Sequence, residues 1–124
     1  MNFNLELKNN LFEIMTSGVA SVEGFSCFYK AITNHEQWNK GGLILTDHTA
    51  LRSEDLTVND VISIATLCRQ YKDEFGYAKL AILVGRDVEF ALGRMWQAYV
   101  DDDAWNVTQK IFKSKDEAME WLTS

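Results

Sequence analysis

Apolar residues at Phe3, Leu5 and Leu7 alternate with Asn4, Glu6 and Lys8, the two-residue period of a strand with one buried face. Asn9-Asn10 interrupts the pattern and Leu11 to Thr16 reads as a second strand, which predicts an antiparallel hairpin. From Ser21, a good N-cap, the period becomes helical, with Phe25, Phe28, Tyr29 and Ile32 on one side. Two later runs, Leu43-Ile44-Leu45-Thr46 and Leu80-Ala81-Ile82-Leu83-Val84, are almost unbroken in apolar character. Such runs belong to strands covered on both faces, so these two are predicted to be interior, parallel and adjacent or nearly so.

A polar connection from Asp47 to Asp55 separates the first run from Thr57, a second N-cap. A helix is predicted there over about Val58 to Phe75, carrying Val61, Ile62, Ala65, Cys68 and Tyr71 and stopped by Gly76. After Gly85-Arg86, Asp87 is expected to cap a helix reaching about Val100, with Val88, Ala91, Leu92, Met95 and Tyr99 as its core stripe. Val107 to Phe112 gives the last strand, and Ser114-Lys115-Asp116-Glu117 has the spacing of a capping box before a short helix through Leu122. The resulting order β-β-α-β-α-β-α-β-α predicts an α/β fold. Its five-stranded mixed sheet is mostly parallel, with an antiparallel N-terminal hairpin and four helices.

Composition narrows the function classes. With 124 residues, 47% hydrophobic and 24% charged, the chain is expected to form one ordinary globular domain over residues 1–124. The net charge of −6 and scattered Lys and Arg argue against nucleic acid and against an acidic membrane surface. Cys27 and Cys68 match neither a zinc spacing nor a redox pair and are read as reduced core thiols. Neither a signal-type segment nor a membrane-length apolar run is found, which leads to a cytoplasmic expectation.

Element order and three short segments together carry a family resemblance. These are Asp47 closing the third strand, Leu92-Gly93-Arg94-Met95-Trp96 in the helix after the fourth strand, and Asp116-Glu117-Ala118-Met119-Glu120-Trp121-Leu122 at the end. In these the chain resembles the SpoIIAA-like proteins, a bacterial family of single domains within the wider STAS/SEC14-like group. The resemblance implies a mixed five-stranded sheet with four helices and a largely unassigned biochemical role. In the anti-sigma-factor antagonists of that group a serine after the central strand is phosphorylated. Here Asp47-His48-Thr49-Ala50-Leu51-Arg52 lacks that serine, although Ser53 and Thr57 follow closely.

Candidate chemistry is sparse. Ligands of open α/β sheets bind beyond the carboxyl ends of the parallel strands, which selects Asp47, His48 and Thr49 after one strand and Gly85 and Arg86 after the next. Gly85 permits close backbone approach, and Arg86 beside a helix N-terminus could take a small anion, against which Asp87 as a plain cap would compete. Phe90, Arg94 and Trp96 on the helix complete the ligand-facing set. No dinucleotide or phosphate-loop pattern is present, and no activated nucleophile accompanies either histidine. His35, near a helix end, is read as a dipole partner. Asp101-Asp102-Asp103 lacks the spacing of a calcium loop and is expected to be a solvated turn, not a metal site.

The leading expectation is therefore a non-enzymatic binding or regulatory module with no cofactor. It would contact a protein partner or a small apolar or anionic ligand, lipid-like ones included, at the strand-end rim, with homodimerisation left open. The alternatives are a small enzyme using Asp47, His48 and Arg86, and a peripheral membrane domain presenting Trp38, Phe90 and Trp96.

Overall fold

The computed structural model describes residues 1–101 and 105–124. Strand β1 (Asn2–Lys8) turns through Asn9 and Asn10 into β2 (Leu11–Val19), pairing Lys8 with Leu11 and Asn2 with Ser17. Both turn residues have positive φ, 50° and 68°, as a two-residue type I′ hairpin requires. Asparagine tolerates that region better than most side chains.

Helix α1 (Val22–Thr33) leads to β3 (Leu43–Arg52), and α2 (Val58–Arg69) with the one-turn α3 (Lys72–Phe75) leads to β4 (Lys79–Leu83). Helix α4 (Asp87–Val100), β5 (Thr108–Phe112) and α5 (Lys115–Leu122) complete the order. The sheet runs β1-β2-β3-β4-β5, with β2 to β5 mutually parallel and β3 and β4 interior neighbours. Each right-handed crossover therefore advances in the same direction across the sheet, and this places α1, α2 and α4 on one face. That face carries the larger core, with Phe12, Ile14, Ile44, Ile82 and Ile111 beneath the three helices. Among the described residues, helix α5 alone covers the other face, over Leu45, Ala81, Leu83 and Phe112.

Capping follows the sequence at three of four long helices. Ser21 accepts from Gly24 N at 2.9 Å, Thr57 and Asp60 form a reciprocal capping box, and Ser114 accepts from Glu117 N at 3.3 Å. Helix α4 differs. Arg86 occupies its N-cap position without a side-chain cap bond, and Asp87 is the first helical residue, paired with Lys113 at 2.6 Å.

Three further expectations are corrected. The helix predicted from Val58 to Phe75 is two helices, because Gln70 N and Tyr71 N bond three residues back, to Leu67 O and Cys68 O, and tighten the turn. The described residues form five helices. Strand β3 does not close at Asp47 but continues to Arg52, paired only with β2 beyond the end of β4. The buried stripe of α4 is Glu89, Trp96 and Val100 with Leu92 and Gly93 beside it, whereas Val88, Ala91 and Tyr99 are exposed. Gly93 explains the rotation: a Cβ there would sit 2.9 Å from Ile111 Cδ1, so the helix rests on the sheet along its side-chain-free position.

Candidate functional site

Between the sheet and α1, α2 and α4 lies a cavity of about 100 Å³. Phe25, His48, Ser53, Leu56 and Glu89 line it near the carboxyl ends of β3 and β4, and Phe75, Trp105 and Val107 line it at the opposite end. Its middle is formed by Ile44, Ile82, Val61, Ile64, Leu92 and Trp96. These walls are overwhelmingly apolar, so the few polar atoms among them define the chemistry.

Two of those atoms are orphans. Glu89 is 4% exposed, and its Oε1 accepts from Arg86 Nε at 2.6 Å. Its Oε2 has no hydrogen-bond partner among the described residues. Trp96, two turns along the same stripe, likewise has a buried Nε1 without a partner among them. The Tyr29 hydroxyl is close enough to Trp96 to be influenced by it but lies outside hydrogen-bond geometry. Tyr29 and Cys68 both stay protonated: burial is the main cause that pushes the phenol well above its usual range and the thiol up to about 12. Unpaired buried polar groups are uncommon in folded proteins and call for an explanation.

His48 reaches the cavity through a backbone irregularity. Met15 pairs with Asp47 but Ser17 pairs with Ala50, so β3 carries one extra residue against β2. A bulge of this kind re-aims side chains. The half-buried His48 ring sits against Phe25 and Phe28, with Nδ1 2.6 Å from Thr16 Oγ1. Burial drives its pKa down to about 4, opposed by the negative charge of Asp47, so the imidazole is neutral near pH 7. Asp47 does not orient it: the Asp47 carboxylate accepts from Thr49 N at 3.0 Å and Thr49 Oγ1 at 2.6 Å. The enzyme alternative would need His48 as a base oriented by Asp47, and that pair is not formed, because successive strand residues face opposite sides.

The rim predicted from the strand ends divides. Gly85 does lie against Thr49, where an added Cβ would be 3.7 Å from the Thr49 carbonyl oxygen. Arg86, however, is engaged by Glu54 at 3.0 Å and Glu89 at 2.6 Å, which satisfies the cation expected to take an anion. Strand order supplies the reason. The crevice rule applies where strand order reverses, and this sheet never reverses. Trp96 and His48 line the cavity, while Asp47, Thr49, Gly85 and Arg86 belong to the surface at its end.

The remaining candidates do not converge. Phe90 is half-buried against the same core, with Lys113 Nζ 5.8 Å from its ring centroid, and Arg94 is exposed. Trp38 packs on Phe12 and Phe75 and donates to Glu74 O at 2.8 Å. With Trp96 also buried, the aromatic trio is not presented outward as the membrane alternative requires. No helix among the described residues is long and apolar enough to cross a membrane. Cys27 is exposed, contrary to its expected core position, and Cys68 is buried. His35 accepts from Gln37 N at 3.1 Å. Within the Asp101-Asp102-Asp103 run, Asp102 and Asp103 lie outside the described residues.

Glu89 is the site residue that pattern reading missed. A carboxylate three residues before Leu92 and seven before Trp96 shares their helical face, and that spacing was the available signal.

No protein-family model matches the chain, and no curated protein matches it. The structure is similar to the crystal structure of an uncharacterized protein of the DUF3478 family from Shewanella loihica PV-4, described as having a SpoIIAA-like fold. The TM-score is 0.61 at 14% identity, covering 98% of this chain and 92% of that one. At such identity the likeness establishes architecture, and the chain has a SpoIIAA-like fold.

Proposed function

We propose that this chain is a non-catalytic binding module that encloses a small, mainly apolar molecule between its sheet and helices α1, α2 and α4. The observation that carries the reading is the buried Glu89 Oε2, which has no hydrogen-bond partner among the described residues, in the wall of one apolar cavity that Trp96 also lines. A cavity of about 150 Å³ lined by aliphatic and aromatic side chains is known to take benzene, and the present one is of that order. The engagement of Arg86 by two carboxylates moves the proposed site from the anion-binding rim to the space beneath α4. A regulatory role is supported by the SpoIIAA-like fold.

Native mass spectrometry of the purified chain, followed by thermal unfolding with a panel of one-ring and two-ring apolar compounds, tests the reading. A compound at a hundred times its Kd stabilises by about 2.7 kcal/mol, which for a domain of this size raises Tm by roughly 10 °C. Leu92→Trp, which fills the cavity, is expected to abolish that rise. A panel without any shift, or shifts that persist in a folded Leu92→Trp variant, would refute it.

A further inference from the structure

We infer that the molecule held in this cavity bears a hydrogen-bond donor, an amine or hydroxyl group on a compact apolar body, and that the donor sits on Glu89 Oε2. The inference rests on the cavity being a binding site and adds the class of ligand.

An ionised carboxylate only accepts hydrogen bonds. One oxygen of Glu89 is held by Arg86 Nε, and the other is buried with no donor among the described residues. A ligand completing that oxygen must donate. Charge points the same way: Glu89 shares its one paired cation, Arg86, with Glu54, so its carboxylate is only partly compensated. An ammonium head neutralises it and a hydroxyl satisfies it. A carboxylate would bring a second acceptor-only anion against the first in an apolar wall, where like charges interact most strongly. The ligand class is thus the reverse of the anion that the exposed Arg86 suggests in sequence.

Geometry sets the body. Trp96 lies seven residues after Glu89, about 10 Å along a helix axis, and Leu92 falls between them with Val61, Ile64 and Ile82 opposite in the lining. A head at Glu89 therefore places an apolar body over these aliphatic side chains. An aromatic face or acceptor atom at its far end meets the Trp96 N–H, which only donates.

Four probes with one body and different heads test this by calorimetry at pH 7: 2-phenylethylamine, 2-phenylethanol, ethylbenzene and phenylacetate. The amine and the alcohol are expected to bind at least tenfold more tightly than ethylbenzene, with phenylacetate weakest. In Glu89→Leu, checked for folding by circular dichroism, ethylbenzene should become the preferred ligand. Should that variant not fold, the ranking in the natural chain still decides the matter. Equal affinities for all four, or a preference for phenylacetate, overturn the donor inference while leaving the cavity as a binding site. No binding by any probe, or binding undiminished by Leu92→Trp, removes the binding reading itself.

Discussion

His48 Nδ1 lies 2.6 Å from the Thr16 hydroxyl oxygen, and that hydroxyl also reaches the Asp47 carbonyl oxygen at 3.3 Å. One arrangement of hydrogens satisfies both contacts: Nδ1–H donates to Thr16, and Thr16 donates to the carbonyl. The bulge in β3 is thus tied across to β2 by side chains at the point where backbone pairing shifts register.

A pH dependence follows from that placement. The folded pKa of His48 is about 4 against 6.5 for a solvated histidine, so between these values the unfolded chain binds the extra proton. Stability contributed by the neutral ring is complete above pH 6.5 and is lost as pH falls to 4, to the extent of about 3 kcal/mol. Urea unfolding of the natural chain and of His48→Phe across this range should show a steeper decline for the natural chain. Parallel curves would contradict the burial argument.

Arg86→Ala is expected to lower Tm, because it leaves the buried Glu89 carboxylate without its cation. Adding Glu89→Gln should recover part of the loss by removing the uncompensated charge. If Arg86→Ala has no effect on Tm, Glu89 does not depend on this pair.

At the hairpin, Asn10 holds a φ of 68°. Asn10→Ala should cost about 1 kcal/mol in denaturant unfolding, since a Cβ without a local hydrogen-bonding group is disfavoured in the left-handed region. Asn10→Gly is expected to be neutral or to stabilise by a few tenths of a kcal/mol.

On the opposite face, buried Glu13 on β2 accepts from Lys115 of α5 at 2.9 Å and pairs with Lys8 at 3.5 Å. The Lys115 hydrogen bond is the main cause holding its carboxyl below the usual range. Its contribution is present above about pH 4.5 and lost as pH falls through the folded value. Glu13→Gln should cost about 1 kcal/mol at pH 7, a modest figure because both lysines are half exposed. The difference should vanish in acid.

The elements were legible because their signals are local. The apolar runs at Leu43 and Leu80 foretold the paired interior strands, and Ser21, Thr57 and Ser114 sit where their helices begin. The site was less legible because its determinants are not local. Glu89 reads as a surface charge until the Gly93–Ile111 contact rotates α4 toward the sheet, and Arg86 reads as free until Glu54, 32 residues earlier, meets it. His48 faces the core only because β3 gains one residue against β2, which no periodicity in β3 alone announces.

Because every strand lies beside its predecessor in the chain, the sheet can be assembled in the order of synthesis. Each segment leaving the ribosome finds its template already formed, and no earlier strand has to be parted to admit a later one. Chains lengthen at about 5–20 residues per second, whereas a hairpin forms in microseconds, so β1 and β2 are paired long before β3 is made. The cavity's outer wall comes late in this sequence: until α4 arrives, Ile82 and Val84 form an uncovered apolar floor. That interval is when a nascent chain is most open to a holding chaperone, and also when a greasy small molecule could be trapped as α4 folds over it.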